Sequence, residues 1–218
     1  MKENSPYLKG QNSVIIFCLL CLFGLLLTFA VEYALVSEPL IFNAYAEQLT
    51  IDQIKVILDS KERWWWVGYA ILPLVYLLKF SLIASCLSLG LYLVANRWEF
   101  KAFFQAAAKA EFVMLIPGLV KLFWFLFIQT DYTLNDLQLF YPLSLLNLFE
   151  PGTLEPYLLY PLQVLNLFEV AYWFALAYGV ARVMNASLER GFGLVMASYG
   201  SGLALWVVFI MFLTVSLS

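Results

Sequence analysis

Five long runs of apolar residues constrain this chain more than any other feature of its sequence. They cover residues 14–36, 65–95, 112–129, 167–184 and 192–217. A helix needs about 20 apolar residues to cross the roughly 30 Å of hydrocarbon in a bilayer. Backbone groups in lipid are satisfied only within helices or closed barrels. Because the runs are long and show no barrel-like alternation, the sequence predicts five transmembrane helices.

The composition agrees with a chain that lies within a membrane. Hydrophobic residues make up 63% of the sequence, charged residues 12%, and the mean hydropathy is +0.84. A soluble domain has about 25% charged residues, so a chain this apolar would aggregate in water. We expect an all-α integral membrane bundle of five transmembrane helices with short interfacial helices, forming one domain over residues 1–218. The first run is longer than the apolar region of a signal peptide, so we expect it to be retained.

The basic residues predict how the bundle is oriented. Cytoplasmic loops carry an excess of Lys and Arg, and a cytoplasmic N-terminus places seven basic residues inside and three outside. The inner set is Lys2, Lys9, Arg97, Lys101, Lys109, Arg182 and Arg190, and the outer set is Lys55, Lys61 and Arg63. We therefore expect a protein of the inner (plasma) membrane with its N-terminus in the cytoplasm and its C-terminus outside. Trp64, Trp65 and Trp66 then lie at the outer interface, as an aromatic belt would.

The sequence lacks the residues that many enzymes and metalloproteins need. It contains no histidine, which excludes histidine metal sites and nucleophiles activated by histidine. Cys18, Cys21 and Cys86 all lie in apolar runs, where nothing lowers the pKa of a thiol, so we interpret them as packing residues. The net charge of −3 and the lack of a dense basic cluster argue against nucleic acid. We expect no catalytic residue, no cofactor and no metal.

Two segments between the runs have the composition of amphipathic helices. Thr50–Lys61 alternates apolar and polar residues and is expected to lie along the outer surface. In Arg97–Ala110, basic residues and a glutamine recur every four residues, on one stripe of a helix; they are Arg97, Lys101, Gln105 and Lys109. Aromatic residues and alanines form the rest of that helix. We expect it to lie on anionic lipid at the inner face, with a plain positively charged loop as the alternative.

A ten-residue repeat lies in the fourth apolar run and the long segment that precedes it. Residues 141–150 and residues 160–169 are identical at eight of ten positions, and both begin with Tyr-Pro-Leu. Proline is tolerated in the first turn of a helix, so each copy is expected to begin a helix after its proline. Packing of the outer cap and a paired ligand-binding element are both open interpretations.

Four ionisable residues lie within the apolar runs and are candidates for an intramembrane charge network. They are Glu32, Lys79, Lys121 and Glu169. Glu111 lies at the inner edge of the third run. Ionisable groups in the hydrocarbon are costly and are usually paired or functional. The four residues therefore predict either ion pairs that fix the helix register or a pathway for a proton or polar solute.

Small residues recur every four positions in the last run. Gly193, Ala197 and Ser201 form one such series, and Ser198 and Gly202 form another. Small side chains allow helices to approach closely in membranes. The series predicts packing within the bundle or a face for a homo-oligomer.

The C-terminal third resembles the Yip1-domain family. The resemblance rests on a series of positions that ends at the short inner loop: Asn166, Leu167, Phe168, Trp173, Leu176, Gly179 and Gly191. Family members show a similar polar-Leu-Phe start, an aromatic residue, and a glycine before a short polar loop. The resemblance implies five transmembrane helices and a cytosolic N-terminus, and the short loops are similar to those of bacterial members.

These features favour a non-enzymatic membrane protein of Yip1-like type that organises the membrane or acts as an interaction scaffold. Its expected partners are the lipid bilayer, anionic lipid at the inner face, and a second copy or other membrane proteins. The alternative is a transporter or permease subunit that uses the intramembrane Lys and Glu groups.

Overall fold

The computed structural model describes residues 10–217, and the regular elements within that range are helical. The α-helices are α1 (Gly10–Leu35), α2 (Glu38–Tyr45), α3 (Ile51–Ala95), α4 (Phe100–Ala110), α5 (Ile116–Phe127), α6 (Leu134–Leu139), α7 (Pro156–Val164), α8 (Leu167–Met184), α9 (Leu188–Val195) and α10 (Ser201–Leu217). A 3-10 segment, Glu111–Leu115, joins α4 to α5, and a π-helical segment, Met196–Gly200, joins α9 to α10. The expected all-α class is confirmed.

Within residues 10–217, five helical stretches are long and apolar enough to cross a membrane. They are Val14–Leu35, Ile51–Ala95, Phe100–Phe127, Leu167–Met184 and Leu188–Leu217. The connections 96–99 and 185–187 lie at one end of the bundle, here called the short-loop side. The connections 36–50 and 128–166 lie at the other end, the long-loop side. Lys2 and Lys9, two of the inner basic residues, lie outside the described residues.

Helix α3 differs from the expectation for Thr50–Lys61. That segment is not a separate surface helix, because α3 runs without a break from Ile51 to Ala95 over 45 residues. The side chain of Thr50 accepts a hydrogen bond from the backbone of Gln53, whose side chain accepts one from Thr50 in return. This capping box starts the helix early. At 1.5 Å per residue α3 is about 67 Å long, more than twice the roughly 30 Å of hydrocarbon, and its residues before the tryptophans 64–66 extend it on the long-loop side.

The core lies where α4 packs between α3 and α8. Seven of the eleven residues of α4 are buried, including Phe103 and all five of its alanines. A methyl group on Gly179 of α8 would lie 2.7 Å from the Cβ of Ala106, so these two helices are in close contact. The expectation that the aromatic face of Arg97–Ala110 lies on lipid is therefore wrong for Phe103, which is fully buried in the protein. The helix itself begins at Phe100.

The repeat folds differently from its prediction. In the first copy, Tyr141–Ser144 forms a turn in which Leu143 has a φ of 56°, followed by the short 3-10 helix Leu145–Leu148. In the second copy Tyr-Pro lies inside α7. That helix ends at Val164, and α8 begins at Leu167. The copies contact each other, since the backbone N–H of Leu145 donates to the carbonyl of Leu165 at 2.9 Å. This pairing fits the interpretation of the repeat as a packed cap.

Some of the small residues in the last helical stretch pack against α3. A methyl group on Gly90 of α3 would lie 2.9 Å from Cβ of Ser198, and one on Gly202 would lie 3.5 Å from Sγ of Cys86. The series of Ser198 and Gly202 therefore packs within the bundle. No residue of α10 is buried, so most of its surface is available to lipid.

Candidate functional site

An ion pair between Lys79 and Glu111 joins α3 to the 3-10 segment inside the bundle. The Lys79 Nζ donates to the Glu111 Oε1 at 2.7 Å. Glu111 is 4% exposed, whereas the side chain of Lys79 keeps 34% of its accessibility. The same ammonium lies 5.5 Å from the centre of the Tyr172 ring on α8, which is within the range of a cation–π contact. One lysine thus connects three helical elements.

Glu169 lies one turn from Tyr172 on α8 and is held by donors from two elements. Its Oε1 accepts hydrogen bonds from the Trp173 Nε1 and the Tyr199 hydroxyl, both at 2.8 Å. Tyr199 belongs to the π-helical segment. A π-helical turn shifts the side chains that follow it around the helix axis, and such turns are frequent at functional sites. Asn166 caps α8 by accepting the backbone N–H of Glu169 at 2.8 Å, which fixes the position of this turn.

These side chains form one buried polar cluster, which consists of Lys79, Glu111, Glu169, Tyr172, Trp173 and Tyr199. Its two carboxylates and one ammonium leave one negative charge in excess when all three groups are ionised. Within residues 10–217, the Glu111 Oε2 and the Tyr172 hydroxyl are buried without a hydrogen-bond partner. The cluster can therefore hold four helical elements in register, and it retains free polar atoms that could bind a proton or a small polar group.

The structure brings together only two of the four residues expected to form a charge network. Lys79 and Glu169 belong to the buried polar cluster. Glu32 lies at the long-loop end of α1, where it pairs with Lys61 at 3.3 Å and accepts the Tyr69 hydroxyl at 2.7 Å. Lys121 is half-buried on α5, and no hydrogen bond or ion pair joins it to the other described residues.

Sequence reasoning missed the partners that complete the cluster. The third apolar run begins at Phe112, which puts Glu111 at its edge. The helical stretch that contains this run begins twelve residues earlier, at Phe100, so Glu111 lies well inside it. Trp173 follows Glu169 by four residues, which is the spacing of neighbours on a helix face, so the sequence did hold a signal for that contact. The contribution of Tyr199 depends on the π-helical segment, which no sequence pattern indicated.

The short-loop side carries a set of exposed basic side chains, here called the basic surface. It consists of Arg97, Lys101, Arg182 and Arg190. Arg97 pairs with Glu99 at 2.7 Å, and Arg182 donates to the Tyr178 hydroxyl at 2.8 Å. Lys101 is exposed in the first turn of α4, whose following residues are mostly buried. Lys109 is exposed too, but it lies two turns farther along the spanning stretch Phe100–Phe127 and so does not belong to this surface.

The two ends of the bundle differ strongly in charge. On the short-loop side the four residues of the basic surface lie near two acids, the half-buried Glu99 and the exposed Glu189. The long-loop side carries three basic residues and ten acidic residues: Lys55, Lys61, Arg63, Glu32, Glu38, Glu47, Asp52, Asp59, Glu62, Asp131, Asp136, Glu150 and Glu155. This separation agrees with the asymmetry on which the expected orientation rests.

Cysteines and clustered acidic residues are the remaining candidates for a metal or thiol site. Cys18, Cys21 and Cys86 are free thiols within α1 and α3. Among residues 10–217, no group of three or more Cys, Asp or Glu side chains is placed to hold a metal ion. Comparison of the chain with protein-family models, with curated proteins and with solved structures returned no match.

Proposed function

We propose that this chain is a non-enzymatic inner-membrane protein of Yip1-like type that organises the surrounding membrane and acts as an interaction scaffold. Its N-terminus lies in the cytoplasm, its C-terminus lies outside, and its first partner is anionic lipid at the cytoplasmic face. The observation that carries this proposal is the basic surface. Lys101 projects from the first turn of a helix that is otherwise packed into the core, and Arg97, Arg182 and Arg190 are exposed at the same end of the bundle.

The strength of that surface follows from its charge. A Lys or Arg near an anionic leaflet contributes about 1 kcal/mol. Four basic residues offset by Glu99 and Glu189 leave two net charges, which correspond to about 2 kcal/mol. Since about 1.4 kcal/mol is a factor of ten, anionic lipid is preferred roughly thirtyfold at this surface. Salt weakens the preference, because exposed charges are screened beyond about 8 Å at physiological ionic strength.

Lipid retention tests this proposal. The protein is extracted from mixed-lipid bilayers into nanodiscs, and mass spectrometry measures the ratio of anionic to zwitterionic lipid that accompanies it. Wild type is expected to be enriched in anionic lipid, and the triple variant R97Q/K101Q/R190Q is expected to lose most of that enrichment. The triple variant K55Q/K61Q/R63Q removes the same number of charges from the long-loop side and serves as the control. Equal loss in both variants would contradict the proposal.

The buried polar cluster favours a second candidate function, a transporter or permease subunit. Ionisable residues inside a membrane frequently mark proton or ion pathways, and this cluster has an excess negative charge and a free carboxylate oxygen on Glu111. The test is proton flux into liposomes across an imposed pH gradient. This candidate predicts that wild type dissipates the gradient, that E111Q and E169Q slow its dissipation, and that E32Q does not. A gradient that wild type leaves intact eliminates a proton pathway through the cluster.

A further inference from the structure

A cleft on the long-loop side lies between α1, α2 and the extended part of α3. Its volume is about 570 Å³, within the roughly 300–1,000 Å³ of small-molecule sites. It lies beside the tryptophans 64–66, which are all more than half exposed. Such residues concentrate at the membrane–water interface. The cleft therefore opens at the level of lipid headgroups.

The walls of the cleft combine charges of both signs. Lys55 and Lys61 line it together with four carboxylates, which belong to Glu32, Glu38, Asp59 and Glu62. The ion pair between Lys61 and Glu32 is about one-third exposed on each side, so a ligand can reach both groups. Lysine is a common binder of phosphate, whereas carboxylates accept hydrogen bonds from an ammonium. A ligand that carries both a phosphate and an ammonium matches these walls better than a simple anion or cation.

Aromatic and apolar side chains complete the cleft. Phe29 and Tyr33 stack at 5.7 Å on α1, and Trp65 and Tyr69 meet edge to face at 5.5 Å on α3. All four rings line the cleft. Aromatic faces attract ammonium groups, and rings at this depth also contact the upper part of acyl chains. The site thus has an apolar side toward the membrane and a charged side toward the surface.

We propose that this cleft binds the headgroup of an ethanolamine phospholipid. The phosphate lies at Lys55 and Lys61, and the primary ammonium donates its hydrogen bonds to Asp59 and Glu62. A choline headgroup cannot do the same, because its quaternary nitrogen carries no N–H. A glycerol headgroup would place its phosphate among four carboxylates without an ammonium to offset them. This site lies at the end of the bundle opposite the basic surface and does not depend on it.

Thermal unfolding in detergent with added short-chain lipids tests this site. Phosphatidylethanolamine is expected to raise the Tm of wild type by more than equal amounts of phosphatidylcholine or phosphatidylglycerol. A hydrogen bond to a charged group contributes about 1.5–3 kcal/mol. D59N/E62Q, which leaves the ion pair of Glu32 intact, should therefore weaken phosphatidylethanolamine binding about tenfold or more.

Two controls separate this proposal from others. E150Q/E155Q removes two exposed acids on the same side that lie outside the cleft, and it should keep the full response to phosphatidylethanolamine. R97Q/K101Q/R190Q should also keep it, even if the proposed role of the basic surface fails. Equal shifts with the ethanolamine and choline lipids, or an unchanged response in D59N/E62Q, would overturn the proposal. A larger shift with phosphatidylglycerol would overturn it too and would indicate an anion site at the two lysines.

Discussion

Replacing Lys79 by leucine tests whether the buried ion pair holds the bundle together. The change removes the ammonium that lies 2.7 Å from Glu111, a residue that is only 4% exposed. Removing one partner of a buried pair costs about 3–5 kcal/mol, because it leaves the other charge without compensation. The side chain of Lys79 keeps 34% of its accessibility, so the loss should be near the lower limit, about 3 kcal/mol.

The assay is thermal unfolding of the purified protein in detergent. For a domain of this size, 1 kcal/mol corresponds to about 2–4 °C in Tm, so K79L should lower the Tm by about 6–12 °C. The double variant K79L/E111L removes both charges and should recover most of that loss, since a buried pair can often be replaced by apolar residues without net cost. A double-mutant cycle then gives the coupling energy between the two residues.

K121L is the matched control for this prediction. Lys121 is also a lysine within a spanning helix, but no hydrogen bond or ion pair joins it to the other residues between 10 and 217. Its replacement breaks no hydrogen bond or ion pair and removes a partly buried charge, so the Tm should stay unchanged or rise. The same decrease in K79L and K121L would refute the reasoning, because it would show that the cost comes from losing any lysine and not from leaving Glu111 unpaired.

Two further predictions concern the contacts of α8. Replacing Gly179 by alanine places a methyl group 2.7 Å from the Cβ of Ala106 and should destabilise the protein by about 1–3 kcal/mol through overpacking. Gly68 has open space around it, so its replacement by alanine should leave the Tm unchanged or higher. Equal Tm values for the two variants would argue against the close packing of α4 on α8. Replacing Tyr199 by phenylalanine removes a 2.8 Å hydrogen bond to Glu169 and should destabilise the protein by about 1.5–3 kcal/mol. If the Tm of that variant equals the wild-type value, the π-helical segment does not serve the cluster.

The number of spanning helices could be predicted from the sequence, but not the point at which each begins. The second apolar run predicts a helix that starts at Trp65, yet α3 starts at Ile51. Nothing between the two positions breaks a helix, and Thr50 with Gln53 forms a capping box that favours the earlier start. Hydropathy reports which residues can lie in lipid, whereas hydrogen-bonded caps decide where a helix begins.

The role of α4 shows a second limit of pattern reasoning. Its basic residues and phenylalanines are typical of a helix on a membrane surface, but its alanines form the face that packs against α8. Ala102, Ala106 and Ala110 recur every four residues, which is the spacing that permits close helix contact. The same four-residue spacing of small residues predicts packing in the last run, whereas in α4 the basic stripe is the more prominent pattern. An amphipathic pattern alone does not distinguish lipid from protein as the neighbour of the apolar face.

The candidate site was predicted in part. Lys79 and Glu169 stood out because charged residues are rare in apolar runs, and both belong to the cluster. Their partners depend on how α3, α8 and the π-helical segment are placed against one another, which is tertiary information. Glu32 and Lys121 also lie in apolar runs, but neither belongs to the cluster, so an apolar neighbourhood alone does not predict membership.

Membrane topology is the most direct measurement of the central claim, which is that five spans place the basic surface in the cytoplasm. Reporter domains are fused at Asn96 on the short-loop side, at Leu137 on the long-loop side, and at Ser218. The account predicts that the fusion at Asn96 reads inside and that the fusions at Leu137 and Ser218 read outside. An inside reading at Ser218 would contradict the five-span count. An outside reading at Asn96 would place the basic surface away from the cytoplasm and contradict the proposed role in binding anionic lipid.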